Sequence, residues 1–156
     1  MFRRLVATPN DFTLTIIRLV LGAVFFAHGA QVALGWWGGF GFKATMDAFT
    51  QKMGIPAPLA FLAIAAEFGG GIALVIGLLG RIAALGIITV MVVAIATVHW
   101  HVGFFMNWYG QIPKEVGFEG FEYHLLAIAL ALAIFFRGSG ALSVDRLMMR
   151  SPPPQA

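Results

Sequence analysis

Four long apolar segments, bounded by glycines, prolines or charged residues, dominate the pattern of hydrophobic and polar positions along this chain. About 20 helical residues, at ~1.5 Å per residue, cross the hydrocarbon core of a bilayer, and the first three segments reach that length. The fourth reaches it only if its helix starts near Phe118. The pattern therefore predicts transmembrane helices near residues 12–34, 58–79, 82–102 and 121–136.

The predicted architecture is all-α: a polytopic membrane protein whose four transmembrane helices form an antiparallel bundle. We expect a single domain over residues 1–150, with the proline-rich residues 151–156 as a tail. Pro9, Asn10 and Asp11 supply cap and turn chemistry before the first helix. Only Gly80 and Arg81 separate the second and third segments, so these two helices should form a tight hairpin.

The loop between the first two segments has a pattern of its own. Apolar side chains recur there at helical spacing, at Phe42, Met46, Phe49 and Met53. This spacing predicts a short amphipathic helix that lies on the outer interface with its apolar face toward the membrane. Simple packing against neighbouring aromatic residues explains the same pattern equally well.

Composition supports the membrane assignment. Hydrophobic residues make up 60% of the 156 residues and charged residues only 11%, whereas soluble domains carry roughly 25% charged residues. The net charge of +3 does not indicate nucleic-acid binding, because the basic residues flank apolar segments instead of forming one stripe. The absence of cysteine excludes disulfides, cysteine zinc sites and iron–sulfur clusters carried by this chain.

The positions of the basic residues predict the orientation of the bundle. Lysines and arginines fall on opposite sides: Lys43, Lys52 and Lys114 against Arg3, Arg4, Arg81, Arg137, Arg146 and Arg150. By the positive-inside rule, both termini and the turn at Arg81 should be cytoplasmic. The first segment contains an arginine and is too long for the apolar region of a signal peptide, so we expect it to remain as an anchor.

Two charged side chains fall within the predicted spans. Arg18 lies early in the first helix, where it either extends to the inner headgroups or makes a buried ion pair with Asp145 or Glu67. Glu67 lies near the bilayer centre, where a carboxylate is costly unless it is paired or protonated. It is interpreted either as a structural carboxyl or as a proton acceptor. The glycines at 69–71 beside it would let a partner helix or a second copy approach closely.

All four histidines map to the predicted outer half of the bundle. They form a polar layer with three further side chains, and the whole set is His28, His99, His101, His124, Gln31, Glu119 and Glu122. Such a layer suits a quinone headgroup or a proton relay, since histidine titrates near neutral pH. A metal or haem site from His28, His99 and His124 is an alternative, although His99 and His101 face nearly opposite sides of a helix. Interfacial histidines without chemistry are the third interpretation.

Aromatic residues accompany this layer, namely Trp36, Trp37, Trp100, Trp108 and Tyr109. An interfacial belt explains them, with stacking on a ring-shaped ligand as the alternative. The candidate residues for catalytic proton handling are therefore Glu67, His28, His99 and His124. The candidate ligand-binding residues are Arg18, Gln31, His101, Trp108 and Glu122. No metal ligands are assigned, because neither a repeated Glu-x-x-His nor an HExxH motif occurs.

Three stretches, taken in order, resemble one known family. They are IRLVLGAVFFAHGAQ (17–31), AEFGGGIALVIGLLGRIAAL (66–85) and GFEYHLLAIALALAIFFRGSGALSVD (120–145). They resemble the first-helix arginine, the Glu-x-x-Gly-Gly and Gly-Leu-x-x-Arg of the second helix and its turn, and the Gly-x-Gly-x-x-Ser-x-Asp ending of DoxX-type membrane proteins. The resemblance extends from about residue 14 to residue 145, which is most of the chain.

The resemblance implies a four-helix protein of the bacterial inner membrane. Some DoxX-type proteins are subunits of a quinone-reducing thiosulfate oxidoreductase, and others act in membrane complexes that counter oxidative stress. Carried onto this chain, the resemblance marks Arg18, Glu67, Arg81, Ser143 and Asp145. No haem or flavin motif accompanies them, so a redox role would need a partner protein to supply electrons.

Two functional hypotheses follow. In the first, the chain is a subunit of a membrane oxidoreductase: a quinone enters from the lipid and sits near His28 and His99, and Glu67 handles protons. In the second, the chain is a non-catalytic scaffold or a small-molecule permeation subunit. The glycine-rich face of the second helix would then pack against a protein partner or a second copy, and the ionisable residues would only stabilise the bundle.

Overall fold

Apolar and small side chains at helical spacing build this molecule almost entirely from α-helix. The computed structural model describes residues 2–108, 110, 112 and 119–150, and these contain no β-strand, which confirms the predicted all-α class. The helices are α1 (Phe2–Leu5), α2 (Phe12–Leu34), α3 (Gly41–Asp47), α4 (Ala57–Ile76), α5 (Gly80–Ala94), α6 (Glu122–Arg137) and α7 (Val144–Arg150). Tyr109 of the aromatic belt, Lys114, the expected helix start at Phe118 and the tail 151–156 lie outside the described residues.

The four longest helices form a bundle in which α2 contacts α4 and α6, and α5 contacts α4 and α6. Its core contains Leu21, Phe25, Leu74, Ile87 and Ile134, each at most 2% exposed. Many other large apolar side chains point outward from the bundle. Outward apolar side chains are expected where lipid, not water, is the solvent.

Three helices within the described ranges are long and apolar enough to cross a membrane: Phe12–Leu34, Ala57–Ile76 and Gly80–His99. α6 has 16 residues, or ~24 Å of helix against the roughly 30 Å of a hydrocarbon core. It begins at Glu122 because the preceding backbone turns back to the loop: the Phe121 and Glu122 amides donate to the carbonyls of Gly103 and Phe104. A fourth crossing by α6 therefore stays a prediction.

Glycines bring α2 and α4 into close antiparallel contact. Gly22 packs against Val75, and Gly29 packs against Glu67, so residue numbers rise along one helix as they fall along the other. A Cβ on Gly22 would lie 2.8 Å from the Val75 amide nitrogen, which leaves no room for a larger residue. Small residues allow this approach where no hydrophobic effect drives helices together.

The glycine-rich face of α4, expected to bind a partner, is largely filled within the chain. Gly71 packs against the backbone of Phe26 in α2, and Gly70 lies over Ile87 of α5. Both glycines are buried, and of the three only Gly69 is exposed, with nothing within 4 Å of its Cβ position. The close approach of helices predicted from these glycines is thus an internal contact.

The turn between α4 and α5 lies earlier than the sequence suggested. α4 ends at Ile76 because Gly77 adopts a left-handed conformation, with φ of 71°, and terminates the helix. Gly80 and Arg81, expected to form the turn, are instead the first residues of α5. Leu79 precedes them with φ of 49°, an unusual value for a residue with a Cβ.

The predicted short helix after α2 is present as α3, followed by a π-helical turn over Ala48–Lys52. Its buried residue is Thr45, whereas Phe42 is exposed and contacts the Phe61 ring edge-on at 6.3 Å. The helix contacts α2 and α4. The Asp47 carboxylate accepts a hydrogen bond from Lys43 Nζ at 2.8 Å and raises the pKa of that ammonium, although so exposed a pair stabilises the helix little.

Candidate functional site

Three histidines, His28, His99 and His124, lie together at one end of the bundle, which we call the histidine end. The rings of His99 and His124 are 4.1 Å apart between centroids. Tyr123 extends this group, with its ring 5.6 Å from His124 and 6.1 Å from His28. Side chains from α2, from α6 and from the turn that follows α5 thus meet through their aromatic rings.

A π-helical turn positions His99. α5 ends at Ala94, and the residues Ile95–His99 continue it with a wider turn. Such turns insert one extra residue and change the direction of the side chains that follow. The His99 Nδ1 atom lies 2.6 Å from the Glu119 carbonyl oxygen. Because a carbonyl only accepts, this contact identifies Nδ1 as a protonated nitrogen of the His99 ring.

Elsewhere in the part of the chain that the structure describes, single buried polar atoms of Thr45, Arg81 and Arg146 have no hydrogen-bond partner. In this group, two adjacent residues each carry such an atom: the Tyr123 hydroxyl oxygen and His124 Nδ1, and His124 is only 7% exposed. A buried polar atom without a partner costs ~1–3 kcal/mol. Such atoms are normally matched by ordered water, an ion or a ligand. These two atoms are therefore the strongest indication of a binding site in the molecule.

Glu67 approaches the same group from α4. Its carboxylate lies close enough to Tyr123 to interact electrostatically with the hydroxyl. The backbone at Glu67 and Phe68 is fixed by the close contact with Gly29 of α2. Within the described ranges Glu67 makes no ion pair, and its side chain is half-buried. Glu67 thus belongs to the histidine end and lies apart from Arg18.

Two other predicted ligand-binding residues at this end, Glu122 and Gln31, contact residues of the adjoining loops. Glu122 Oε1 accepts hydrogen bonds from the Met106 amide at 3.0 Å and from Trp108 Nε1 at 2.9 Å. Gln31 Nε2 lies 3.5 Å from the Trp37 carbonyl oxygen. His101 is exposed, and its placement on the opposite side from His99 stays a prediction. In the described part of the chain no three His, Asp or Glu residues come together as a metal site would require, the set His28, His99 and His124 included.

A groove of about 300 Å³ opens beside the turn that carries His99. Two segments line it, and the lining residues are Lys52, Met53, Ile55, Thr97 and Val98. The two π-helical turns of the molecule's described part, Ala48–Lys52 and Ile95–His99, therefore both border this groove. The groove, lined by both polar and apolar side chains, lies beside the histidine end at the side of the bundle.

Arg18 lies at the opposite end of the bundle, which we call the arginine end (Arg18, Arg81 and Asp145). It is 2% exposed, so it does not extend to the headgroups. Its guanidinium donates to backbone carbonyls: Nη1 to Leu74 and Val75 at 2.7 and 2.6 Å, Nε to Ser139 at 2.7 Å, and Nη2 to Leu142. The carbonyls at 74 and 75 end α4, where a positive charge also matches the helix dipole.

Asp145, in α7, supplies a negative charge near the Arg18 guanidinium. Its carboxylate accepts from the Leu79 amide at 2.7 Å, the Gly80 amide at 3.0 Å and the Ser139 hydroxyl at 2.6 Å. It thereby caps the N-terminus of α5, and it attracts the Arg18 guanidinium. Of the two acids expected to compete for Arg18, Asp145 is thus the near one, although backbone carbonyls, not a direct ion pair, hold the guanidinium.

Arg81 donates to the carbonyls at the end of α6, as Arg18 does at the end of α4. Nη1 donates to the carbonyls of Phe135 and Phe136, and Nη2 donates to Ala7 at 3.1 Å. Ser143 caps α7, since its hydroxyl accepts from the Arg146 amide at 3.2 Å. Four of the five residues marked by the sequence resemblance therefore close the arginine end structurally.

Sequence reasoning missed Tyr123 as a site residue and Ser139 as a partner of Asp145. Tyr123 lay between Glu122 and His124 and was assigned no role. The helical spacing does contain a signal: Tyr123 and Ala127 are four positions apart, and Ala127 is buried in the core. Ser139 gave no signal, because its importance depends on a contact with a separate turn.

A family model described as DoxX matches residues 13–100, more than half of the chain. The matched part contains α2, α4 and α5, with Arg18, His28, Glu67, Arg81 and His99. It ends before α6, which carries Tyr123 and His124. No curated protein and no solved structure matches the chain.

Proposed function

This chain belongs to the DoxX family, and from that premise we propose that it is an integral inner-membrane subunit of an oxidoreductase system that binds a quinone headgroup and handles protons at the histidine end. The observation that carries the proposal is the pair of buried, unpartnered polar atoms on Tyr123 and His124. Each such atom costs free energy unless water, an ion or a ligand matches it, so two on adjacent residues support a bound ligand.

These two side chains fit a quinone headgroup. A quinone is a flat apolar ring with carbonyl oxygens that accept hydrogen bonds, and when bound it supplies a ring that takes up two electrons and two protons. The Tyr123 hydroxyl and the His124 imidazole are donors suited to such oxygens. The stacked rings of Trp100 and Phe121, 5.7 Å apart, provide an apolar surface nearby.

The ionisable neighbours have distinct roles in this proposal. Glu67, beside Tyr123, holds a proton that passes to or from the tyrosine hydroxyl. His99 is held by the Glu119 carbonyl at Nδ1, and its ring, 4.1 Å from that of His124, orients the His124 imidazole. His28 is exposed and connects the group to the surface of α2. A partner protein supplies the electrons.

We further propose the topology that the positive-inside rule gives. α6 makes the fourth crossing, both termini and the arginine end face the cytoplasm, and the histidine end faces the periplasm. The groove beside His99 then opens toward lipid in the outer half of the membrane, where a membrane-soluble ring diffuses in.

The test measures binding of a short-chain ubiquinone and a short-chain menaquinone to detergent-purified protein, by quenching of tryptophan fluorescence. Tyr123→Phe removes one hydrogen bond, so affinity should fall about tenfold. The same change removes an unpartnered buried hydroxyl, so thermal stability should be unchanged or raised. Loss of affinity without loss of stability is not expected of a structural residue.

His101→Gln is the matched control, because His101 is an exposed histidine near the same end and should affect neither property. Glu67→Gln should leave binding largely intact and slow proton-coupled reduction by the partner. Equal affinity in the wild type and Tyr123→Phe, or no quinone binding by the wild type, would reject the proposal.

A non-catalytic scaffold or permeation subunit is the second candidate function. The hydrogen-bond network of Arg18, Arg81, Ser143 and Asp145 favours it, because four of the five residues marked by the sequence resemblance have structural roles. Under this alternative, purified protein carries no co-extracted quinone, and Glu67→Gln and His28→Ala change stability only.

A further inference from the structure

Four separate segments meet at the arginine end. The Thr8 amide contacts the Met149 sulfur of α7 at 3.1 Å, and Arg81 of α5 donates to the Ala7 carbonyl. Gly138, just after α6, packs directly against Ala7 and Thr8. Three elements thus form one continuous surface around the start of α5: α1 with the residues that follow it, the end of α6, and α7.

This surface carries positive charge that no acidic side chain neutralises within the residues that the structure describes. Arg4 and Arg137 are exposed, and neither makes an ion pair in the described part of the chain. The described acids of this end are Asp11 and Asp145, and both are already used as helix caps, for α2 and α5 respectively. Neither carboxylate is therefore available to balance the two arginines.

Exposed apolar side chains lie on the same segments as these cations. Phe2 is 53% exposed, Phe136 is 67% exposed and Leu147 is 63% exposed. Each is within a few residues of an arginine in the sequence. Alternation of cations and large apolar groups at the end of a helical bundle matches the boundary between acyl chains and headgroups.

We infer that this surface, made of Phe2, Arg4, Phe136, Arg137 and Leu147, binds anionic phospholipids. The apolar side chains enter the acyl region, and the arginines contact the headgroup phosphates. The inference is independent of the quinone proposal, because the two sites lie at opposite ends of the bundle.

The test counts phospholipids bound to the purified full chain by native mass spectrometry, with phosphatidylglycerol and phosphatidylcholine compared at equal concentration. The double variant Arg4→Gln/Arg137→Gln should lose about tenfold in affinity for phosphatidylglycerol and little for phosphatidylcholine. The matched control, Lys43→Gln/Lys52→Gln, removes the same charge from exposed positions at the histidine end and should retain wild-type binding.

Equal losses in the two double variants would overturn the inference, because they would indicate attraction by net charge alone. So would equal binding of the two lipids by the wild type. Inorganic phosphate that competes fully with phosphatidylglycerol would point to a soluble anion. Because both arginines are exposed, the variant should fold, and melting in neutral detergent checks this; the wild-type preference between lipids tests the inference without any variant.

Discussion

At the scale of single residues, Arg18 and Tyr123 behave in opposite ways. The Arg18 guanidinium satisfies carbonyls from α4 and from the segment after α6, so a costly buried charge is matched on every side. The Tyr123 hydroxyl is buried and unmatched within the described ranges. The full set of partners around Arg18 indicates a structural role, and the unmatched Tyr123 hydroxyl beside His124 supports the proposed ligand site.

Arg18→Gln should destabilise the protein by about 3–5 kcal/mol, because several buried carbonyls lose their donor at once. Arg18→Lys should recover only part of the loss, since an ammonium lacks the planar fork that reaches carbonyls of separate segments. Thermal unfolding in neutral detergent measures both effects. Arg137→Gln is the control, because that arginine is exposed and its loss should have little effect. A melting temperature for Arg18→Gln close to that of the control would contradict the role assigned to Arg18.

At the scale of the helices, glycines determine how closely α2 and α4 pack. Gly71→Ala would place a Cβ 2.7 Å from the Phe26 Cα, so the two helices must move apart. We expect a loss of roughly 2–4 kcal/mol, measured as a lower melting temperature.

Gly69→Ala is its matched control, two positions away on the same helix. Nothing lies within 4 Å of the added Cβ, and alanine favours helix over glycine by about 1 kcal/mol. The control should be neutral or slightly stabilising. Equal stability of the two variants would contradict the close packing of α2 against α4 at Gly71.

The cap that α7 provides for α5 gives a second prediction at this scale. Asp145→Asn keeps the shape of the side chain and removes the charge that faces two amides and the Ser139 hydroxyl. A loss of about 1–3 kcal/mol is expected. Asp47→Asn, which removes an exposed carboxylate from α3, should leave the melting temperature unchanged. Equal effects of the two substitutions would argue against the cap.

The apolar pattern was sufficient to locate the helices, because burial in lipid requires long uninterrupted apolar segments. The α2 range, Phe12–Leu34, coincides with the expected one, and its cap at Asp11 is present. The α4–α5 turn was misplaced, since the left-handed conformation of Gly77 leaves no trace in hydrophobicity. The partners of Arg18 were not predictable either, because they are backbone carbonyls, which every residue has.

At the scale of the whole molecule, the two ends of the bundle differ in chemistry. The arginine end is held together by hydrogen bonds between distant segments, although Arg81 Nε and Arg146 Nε are unpartnered there within the described residues. The histidine end carries two neighbouring unpartnered atoms, the Tyr123 hydroxyl and His124 Nδ1. In the topology that we propose, the arginine end would lie in the cytoplasmic half of the membrane and the histidine end in the periplasmic half.

The absence of cysteine allows a direct test of that topology with single-cysteine variants. Phe105→Cys, in the loop before α6, should react in intact cells with a thiol reagent that does not cross membranes. Arg137→Cys, at the other end of α6, should react only after the membrane is opened. Both positions are exposed in the structure. Identical labelling of the two variants would show that α6 does not cross.

The carbonyls that hold Arg18 come from two segments far apart in the chain, and a ribosome makes those segments one after the other. Leu74 and Val75 are available first, and Ser139 and Leu142 emerge only after α6 has been made. A nascent chain that stops before Ser139 therefore carries an incompletely solvated cation. Such a chain should be degraded by membrane proteases, so protection from degradation should begin once the segment after α6 has been made.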